Sequence, residues 1–489
     1  MKHGVAAARA LQAETHGAAR RGCADLAGRA VAVGHATNGT VGRHEAVREL
    51  DVVGNVRVAR RRAVTRDAEK RARAARNGQR GDTREQKEES LRDHHGRLQE
   101  RPTHPPANDR NDSTGTVPNR HSGGTLRNPA MTALEYRDPH DDPARVATSL
   151  GISREAVDLY LSSDVIDLHV DSFIWWRIFR YDLTKRHGEG LFAASFYSQV
   201  DFPRVRESAM TGAIWVITTN PLRTEEERPN VFVRNLADLR AQIARVPDEF
   251  EVVRTAAEYR AARAKKKHGA FIGIQGGNAL DRDLDALDLI PDQLVLRITL
   301  VHLSTSKIGV TSSPLSGGAD EGLSDFGRAY VRRLNEKKIF VDLAHINRKG
   351  FFDAVEMHDK SQPLIVTHTG VSGVHKHWRN LDDEQLRAIA DTGGTVGVMF
   401  QSSFLGDPVW GGRAESVVRH LEHIVNTVGE DHASLGSDFD GAITPPRDLR
   451  TCLELPRLVQ IMLDRGWNEG RVRKLLGGNA LRAVEALRG

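Results

Sequence analysis

Cysteine is nearly missing from this chain. Its 489 residues include two, Cys23 and Cys452, far apart in sequence, which argues against a structural disulfide and against a cysteine-built zinc site. Long hydrophobic runs are missing as well. None is long enough to span a bilayer, no apolar stretch near Met1 reads as a secretory leader, and the closing LRAVEALRG lacks the tail of a lipid anchor. A cytoplasmic protein with no membrane partner is expected. Charge of one sign is not in large excess: 70 Lys and Arg face 65 Asp and Glu, for a net +5. That surplus owes much to an arginine-rich front, so it says little about the partners of the rest.

The front of the chain, residues 1–130, is poor in Phe, Ile, Tyr and Trp and shows no sustained apolar period, as in RVARRRAVTRDAEKRARAARNGQRGDTREQKEES. Such a composition cannot bury enough apolar surface to offset chain entropy, so disorder is expected. Acidic residues interrupt the basic ones and no aromatic residues accompany them, which disfavours a nucleic-acid-binding arm. Met131 opens MTALEYRDPHDDPARVATSLGISREAVDLYL, which reads as a natural start leading through a helical extension, residues 131–164, into the remainder.

From Val165 onward the chain is organised by apolar runs rich in Val, Ile and Leu. Eight have strand length: Val165–Ser172, Gly212–Thr219, Ala270–Gln275, Leu294–His302, Ile339–His345, Pro363–His368, Thr395–Phe400 and Ala433–Asp438. Near-continuous apolar strands alternating with amphipathic helices predict a parallel sheet buried on both faces, and eight such units predict an α/β fold of the (β/α)8 TIM-barrel kind over 165–489. Leu323, Phe326, Tyr330 and Leu334 form one helical stripe with Ser324 as its N-cap; similar stripes run through Val231–Val246 and Val417–Val428, the second closed by Gly429.

Chemistry in such barrels collects at the C-terminal ends of the strands. His169 and Asp171 end the first run, Gln275 the third, His302 the fourth, His345 the fifth, His368 the sixth and Asp438 the eighth. Residues two apart on a strand project to one face, so the HxD of His169 and Asp171 can hold a divalent cation between an imidazole and a carboxylate. The other polar ends converge on the same mouth, which predicts a metal site. Phe173, Trp175 and Trp176 fall where a loop after the first strand would line that mouth, free either to meet a substrate or to seal the barrel.

The segments DLHVD, LVHLSTS, GLSDFG, VDLAH, VTHTG, WRNLDDE, GGTVGVMF and GSDFDG, in this order, resemble the membrane (renal) dipeptidases, peptidase family M19, over roughly Val165–Leu487. The resemblance implies a metallopeptidase with two zinc ions. His169 and Asp171 would serve the first and His345 and His368 the second; His302 would contact the substrate and steady the tetrahedral intermediate, Arg379 would bind the substrate carboxylate, and Asp438 would transfer protons. Two cations roughly 3.5–4 Å apart polarise a carbonyl and lower the pKa of a bound water. Asp438 is then suited to pass the proton to the leaving amine, and the planar fork of Arg379 to a free carboxylate. The expected partner is a small peptide, with a homodimer admitted as an assembly.

One position departs from the family pattern. Its glutamate in an EGG motif bridges the metals, whereas this chain reads Ile274-Gln275-Gly276-Gly277. An amide offers one neutral carbonyl oxygen and cannot bridge two cations with a full negative charge. Gln275 therefore counts as a weak metal ligand. Three readings stay open: a zinc dipeptidase with one tight and one loose metal and, as in some relatives, a D-residue on the C-terminal side of its substrates; an amidohydrolase acting on a non-peptide amide or lactam; and a degenerate member that binds without turnover. For the start at Met131, N-terminal sequencing of the native protein is expected to return MTALEYR or its Met-processed form, and any peptide from residues 1–130 overturns it.

Overall fold

The computed structural model describes residues 131–189, 193–318 and 320–489; the expectation of a disordered arm over 1–130 lies outside them, as does Cys23. Nine strands run in parallel: β1 Ile166–Val170, β2 Gly212–Thr218, β3 Phe250–Val252, β4 His268–Gln275, β5 Val295–Thr299, β6 Phe340–Asp342, β7 Ile365–Thr369, β8 Thr395–Val398 and β9 Ala433–Leu435. Their order, β2-β1-β9-β8-β7-β6-β5-β4, closes through a β2–β4 pairing of seven successive residues, Gly212↔Gly269 to Thr218↔Gln275. All eight predicted strands are present in a closed barrel wrapped by helices. β3 was not predicted. It is three residues long and pairs only with the start of β4, Phe250↔His268 to Val252↔Ala270, too short to leave a period in the sequence.

The helices follow their stripes. Asp325–Glu336 begins at Ser324, whose side chain accepts from the Gly327 N–H. The Val231–Val246 stripe lies on Arg228–Ile243, and Val417–Val428 on Ala414–Val428, which ends at Gly429 with φ 95°. Ahead of the barrel, Pro143–Leu150 and Arg154–Leu161 form two short helices, capped by the side chains of Asp142 and Ser153. Ala156, Val157 and Leu159–Leu161 of the second are buried in the main core. Among the described residues no helix is long and apolar enough to cross a membrane, and Cys452 is a buried free thiol.

The strand registers stack one polar layer inside the barrel. Thr218 pairs with Gln275, Gln275 with Thr299, and Thr299 with Asp342. Two or four residues upstream on the same face stand Ile214, Val216, Phe271 and Phe340, which share one apolar cluster with Ala480, Leu481, Ala483, Val484 and Leu487 of the last helix, Asn479–Arg488. The lower barrel is thus dry and closed, and polar chemistry is confined to the top.

Between these two zones lies a fully buried ion pair. Arg297 Nη1 is 3.2 Å from Asp342 Oδ2, both side chains at 0% exposure. Oδ2 also accepts from the Thr299 hydroxyl at 2.6 Å and the Thr367 hydroxyl at 2.7 Å, and Oδ1 from the backbone N–H groups of Thr367 and Ala344. Arg297 donates to the Ile274 carbonyl at 3.0 Å and to the Thr299 hydroxyl. The guanidinium fits because β4 has Gly273 opposite it: a Cβ there would stand 2.7 Å from Arg297 Nε. Removing one partner of such a pair strands the other in a dry interior. Arg297→Ala is expected to cost about 3–5 kcal/mol, measured by urea unfolding of the metal-free protein.

His268 provides a pH signature. Buried at the foot of β4, it accepts from Trp215 Nε1 at 3.1 Å and contacts the Met210 carbonyl through Nδ1 at 2.8 Å. Burial pushes its pKa down to about 3. The unfolded chain takes up this proton below about 6.5 while the folded chain does not, so the contribution of His268 is whole above that pH and is lost as pH falls. The stability difference between the protein and His268→Gln is expected to shrink by about 1.4 kcal/mol per unit from pH 6 to pH 4, read from denaturant midpoints at each pH.

Candidate metal centre

The barrel brings the sequence-predicted site residues to one end. His169, near the end of β1, is fully buried, with Nε2 3.6 Å from Asp171 Oδ2 and 3.5 Å from Asp438 Oδ1. Its ring lies 3.8 Å from that of His368, centroid to centroid. His368 Nε2 faces His345 Nε2 at 2.8 Å, and the His302 ring stands edge-on to His345 at 4.7 Å. Arg379 is buried in the segment after β7 and donates from Nη2 to the His368 carbonyl at 2.8 Å. His302, His345 and Asp438 do not lie on strands but in the turns beyond them. His345 and Asp438 have φ of 66° and 63°, the left-handed region that turns each side chain back over the mouth.

Several atoms here have no place in the protein's own hydrogen bonding. His169 Nε2 and Asp438 Oδ1 are buried without a partner. Together with His368 they form a set of three ligand atoms all within 4.8 Å of one another. His368 is oriented from behind: its Nδ1 lies 3.0 Å from the Thr367 hydroxyl, whose own proton goes to Asp342. The ring must therefore donate from Nδ1, which leaves the Nε2 lone pair facing the site. Imidazole nitrogens and a carboxylate, buried and converging, fit a divalent cation. The grouping differs from the one implied by the resemblance, because Asp438 joins His169 and His368 in the compact set while Asp171 and His345 flank it.

Gln275 sits between the two flanks. Its amide lies 3.1 Å from Thr218 Oγ1 through Oε1, and its Nε2 is 3.2 and 3.4 Å from Nε2 of His345 and His368. Thr218 has one hydroxyl proton, and Asp171 Oδ1 takes it at 2.5 Å. Gln275 Oε1 faces the Thr218 hydroxyl, and its NH2 group points at the two histidines, where it can donate to the Nε2 lone pair that His368 presents. In that orientation Gln275 presents N–H, not an oxygen, to the histidines, unlike the weak metal ligand expected of it.

Burial and neighbouring charge separate the carboxyls. Burial, with Asp171 next, holds Asp438 well above the usual carboxylate range. Burial also raises Asp171, but His169 and Thr218 outweigh it and leave that carboxyl below its ordinary value. Burial lowers every histidine of the group, His302 to about 3, and Arg379 adds to the effect on His302, His345 and His368. At neutral pH the imidazoles are uncharged.

Sequence reasoning missed what lies one layer below. Arg297, Asp342, Thr218 and Thr367 orient the site without having been singled out, although charged residues inside buried strands, LVLRITL and IFVDLAH, were a readable signal. Phe173, Trp175 and Trp176 correct another expectation: they form a helix, Phe173–Phe179, not a loop. Phe173 is buried and stacks on Trp176 at 5.2 Å, while Trp175 donates from Nε1 to the Asp440 carbonyl at 2.6 Å. These contacts tie the β1 end to the turn that carries Asp438. Thr367→Val removes the relay behind His368 with little change of volume. Affinity for a divalent cation is expected to fall about tenfold or more, measured by competition with a chelating indicator.

Comparisons with known proteins agree with this picture. The family profile Membrane dipeptidase (Peptidase family M19) matches residues 153–488. A solved structure of dipeptidase AC, a metallopeptidase of family M19, shares 31% identity with a TM-score of 0.60, covering 66% of this chain and 98% of its own. A metallopeptidase from Rhodobacter sphaeroides, solved with a phosphinate mimic of the dipeptide L-Ala-D-Ala, shares 30% identity with a TM-score of 0.60 over 66% of this chain and 99% of its own. An uncharacterised protein from the pqqA 5′ region of Klebsiella pneumoniae is 33% identical over 266 residues, 52% of this chain and 96% of that protein. With an eight-stranded barrel, a His–His–Asp cluster at its mouth and a family match across the whole barrel, this chain belongs to peptidase family M19, the membrane dipeptidases, and is a metallopeptidase.

Proposed function

We propose that the protein is a zinc-dependent dipeptidase that accepts dipeptides with a D-residue on the C-terminal side. The observation that carries the reading is the buried convergence of His169, His368 and Asp438, all within 4.8 Å, beside His345 and the buried Arg379. The L-Ala-D-Ala mimic held by the Rhodobacter sphaeroides relative supports the stereochemical part.

His169, His368 and Asp438 would hold the zinc, with Asp171, His345 and Gln275 around them. A bound zinc supplies a polarised amide carbonyl and a water of lowered pKa. The chain's own residues do the rest. Arg379 presents a planar fork to the free carboxylate, which limits substrates to those that end just after the scissile bond. His302, kept neutral by burial, offers a ring N–H to the carbonyl oxygen as charge develops on it. Asp438 receives a proton on its second carboxylate oxygen, the one not turned to His169, and returns it to the departing amine.

Gln275 favours a second reading, a centre that binds zinc but does not turn over, because an amide supplies no charge between two cations. One experiment separates the two. The full chain is loaded with zinc, its metal content is counted, and turnover is followed on L,L and L,D dipeptides before and after a chelator and for Gln275→Glu. Hydrolysis of L,D dipeptides that stops with the chelator and returns with zinc is expected, together with a drop of about a thousandfold or more in kcat/KM for Asp438→Asn. A zinc-loaded protein that leaves every dipeptide intact, and gains activity only as Gln275→Glu, overturns the first reading.

A further inference from the structure

Beyond β9 the chain makes a turn in which every second residue, Asp438, Asp440 and Ala442, has φ between 63° and 66° without being glycine. That backbone is unfavourable for an L-residue, so the turn that carries Asp438 has to be held from outside. Asp440 is where it is held. Its side chain is fully buried, and among the described residues it has no ion-pair partner. Oδ1 accepts from the Gln199 backbone N–H at 2.8 Å and Oδ2 from the Ser172 hydroxyl. The Asp440 N–H donates to Gln199 Oε1 at 2.6 Å, and the Asp440 carbonyl accepts from Trp175 Nε1 at 2.6 Å. Gln199 is buried as well and is fixed in turn by donating from Nε2 to the Ala194 carbonyl at 2.7 Å.

These bonds reach the metal centre through the chain itself. Ser172 follows Asp171, and Asp440 stands two residues after Asp438. Between them the Asp171 N–H donates to the Phe439 carbonyl at 2.9 Å and the Asp438 N–H to the His169 carbonyl at 3.1 Å. Gly441 lies so close to the Asp438 side chain that a Cβ on it would collide with Oδ1. A shift of the turn therefore moves the carboxyl that stands 3.5 Å from His169 Nε2. A buried group that uses both oxygens as acceptors and meets no cation acts through its hydrogen bonds, not its charge. We propose that Asp440 is a positioning residue: by joining Ser172, Gln199 and the turn after β9, it sets where Asp438 stands relative to His169 and Asp171. Its effect on turnover rests on the dipeptidase reading; its effect on cation binding does not.

Three variants of the full chain test it. Asp440→Ala is expected to weaken zinc binding about tenfold, read by competition with a chelating indicator. Its kcat on Ala-D-Ala is expected to fall about a hundredfold, with KM within about twofold of native. Asp440→Asn keeps an oxygen for the Gln199 N–H and gives the Ser172 hydroxyl an N–H to accept, so it is expected to hold zinc affinity and kcat within about threefold of native. A role in stability alone would lower the urea midpoint of Asp440→Ala and leave its zinc affinity untouched; that result overturns the proposal, as does an Asn variant as impaired as the Ala one. Should Asp440→Ala fail to fold, Ser172→Ala removes one of the bonds with almost no change of volume. Zinc binding weakened about threefold in that variant supports the proposal, and native affinity overturns it. If the native chain hydrolyses no dipeptide, the dipeptidase reading has failed, and the zinc titrations decide the role of Asp440 alone.

Discussion

The geometry of the metal centre depends on one buried ion pair, Arg297 with Asp342. The carboxylate, at the end of β6, collects donors from β5 and β7 and from the turn after β6, so three strand ends are fixed relative to one another by a single group. Through Thr367 it sets the ring of His368. Through Arg297 it reaches the other side of the barrel, where Nη2 donates to His169 Nδ1 at 2.7 Å, so the metal-free ring carries its proton on Nε2 and a cation there must displace it. Two of the three clustered side chains are therefore positioned by a pair that does not itself enter the cluster. A buried charge pair adds little net stability compared with apolar packing, and its value here is specification.

The strands and the polar residues at their ends were legible because both signals are local. Apolar runs of six to nine residues mark the parallel strands here, and a His or Asp at the close of such a run stands out against Val and Ile. What could not be read was spacing across strands. HxD identifies His169 and Asp171 as neighbours, but that Asp438 approaches His169 while His345 faces His368 depends on shear and on turns of two or three residues beyond β6 and β9. The left-handed backbone of those turns has no strong sequence mark when the residues are His and Asp, not Gly. β3 escaped for the opposite reason: its existence is set by the exposed edge at the start of β4, not by its own three residues.

Gln275 shows how a departure from a family pattern is absorbed. The amide fills the carboxylate's place in the polar layer, paired across the strands with Thr218 and Thr299, and costs the fold nothing visible. Its effect is electrostatic. The amide nitrogen, not the carbonyl oxygen, faces the histidines. Asp171 and Asp438 are left as the carboxylates nearest the cluster.

His345, Asp438 and Asp440 all lie at positive φ without being glycine, a conformation that costs on the order of 1 kcal/mol each for an L-residue. The turns that carry the chemistry are thus the parts of the barrel that the chain by itself holds least willingly. A cation gripping His169, His368 and Asp438 would join β1, β7 and the turn after β9 into one ring and offset that strain. The metal would then act on this protein as a clasp as well as a reagent, tightening a rim that the dry lower barrel does not reach.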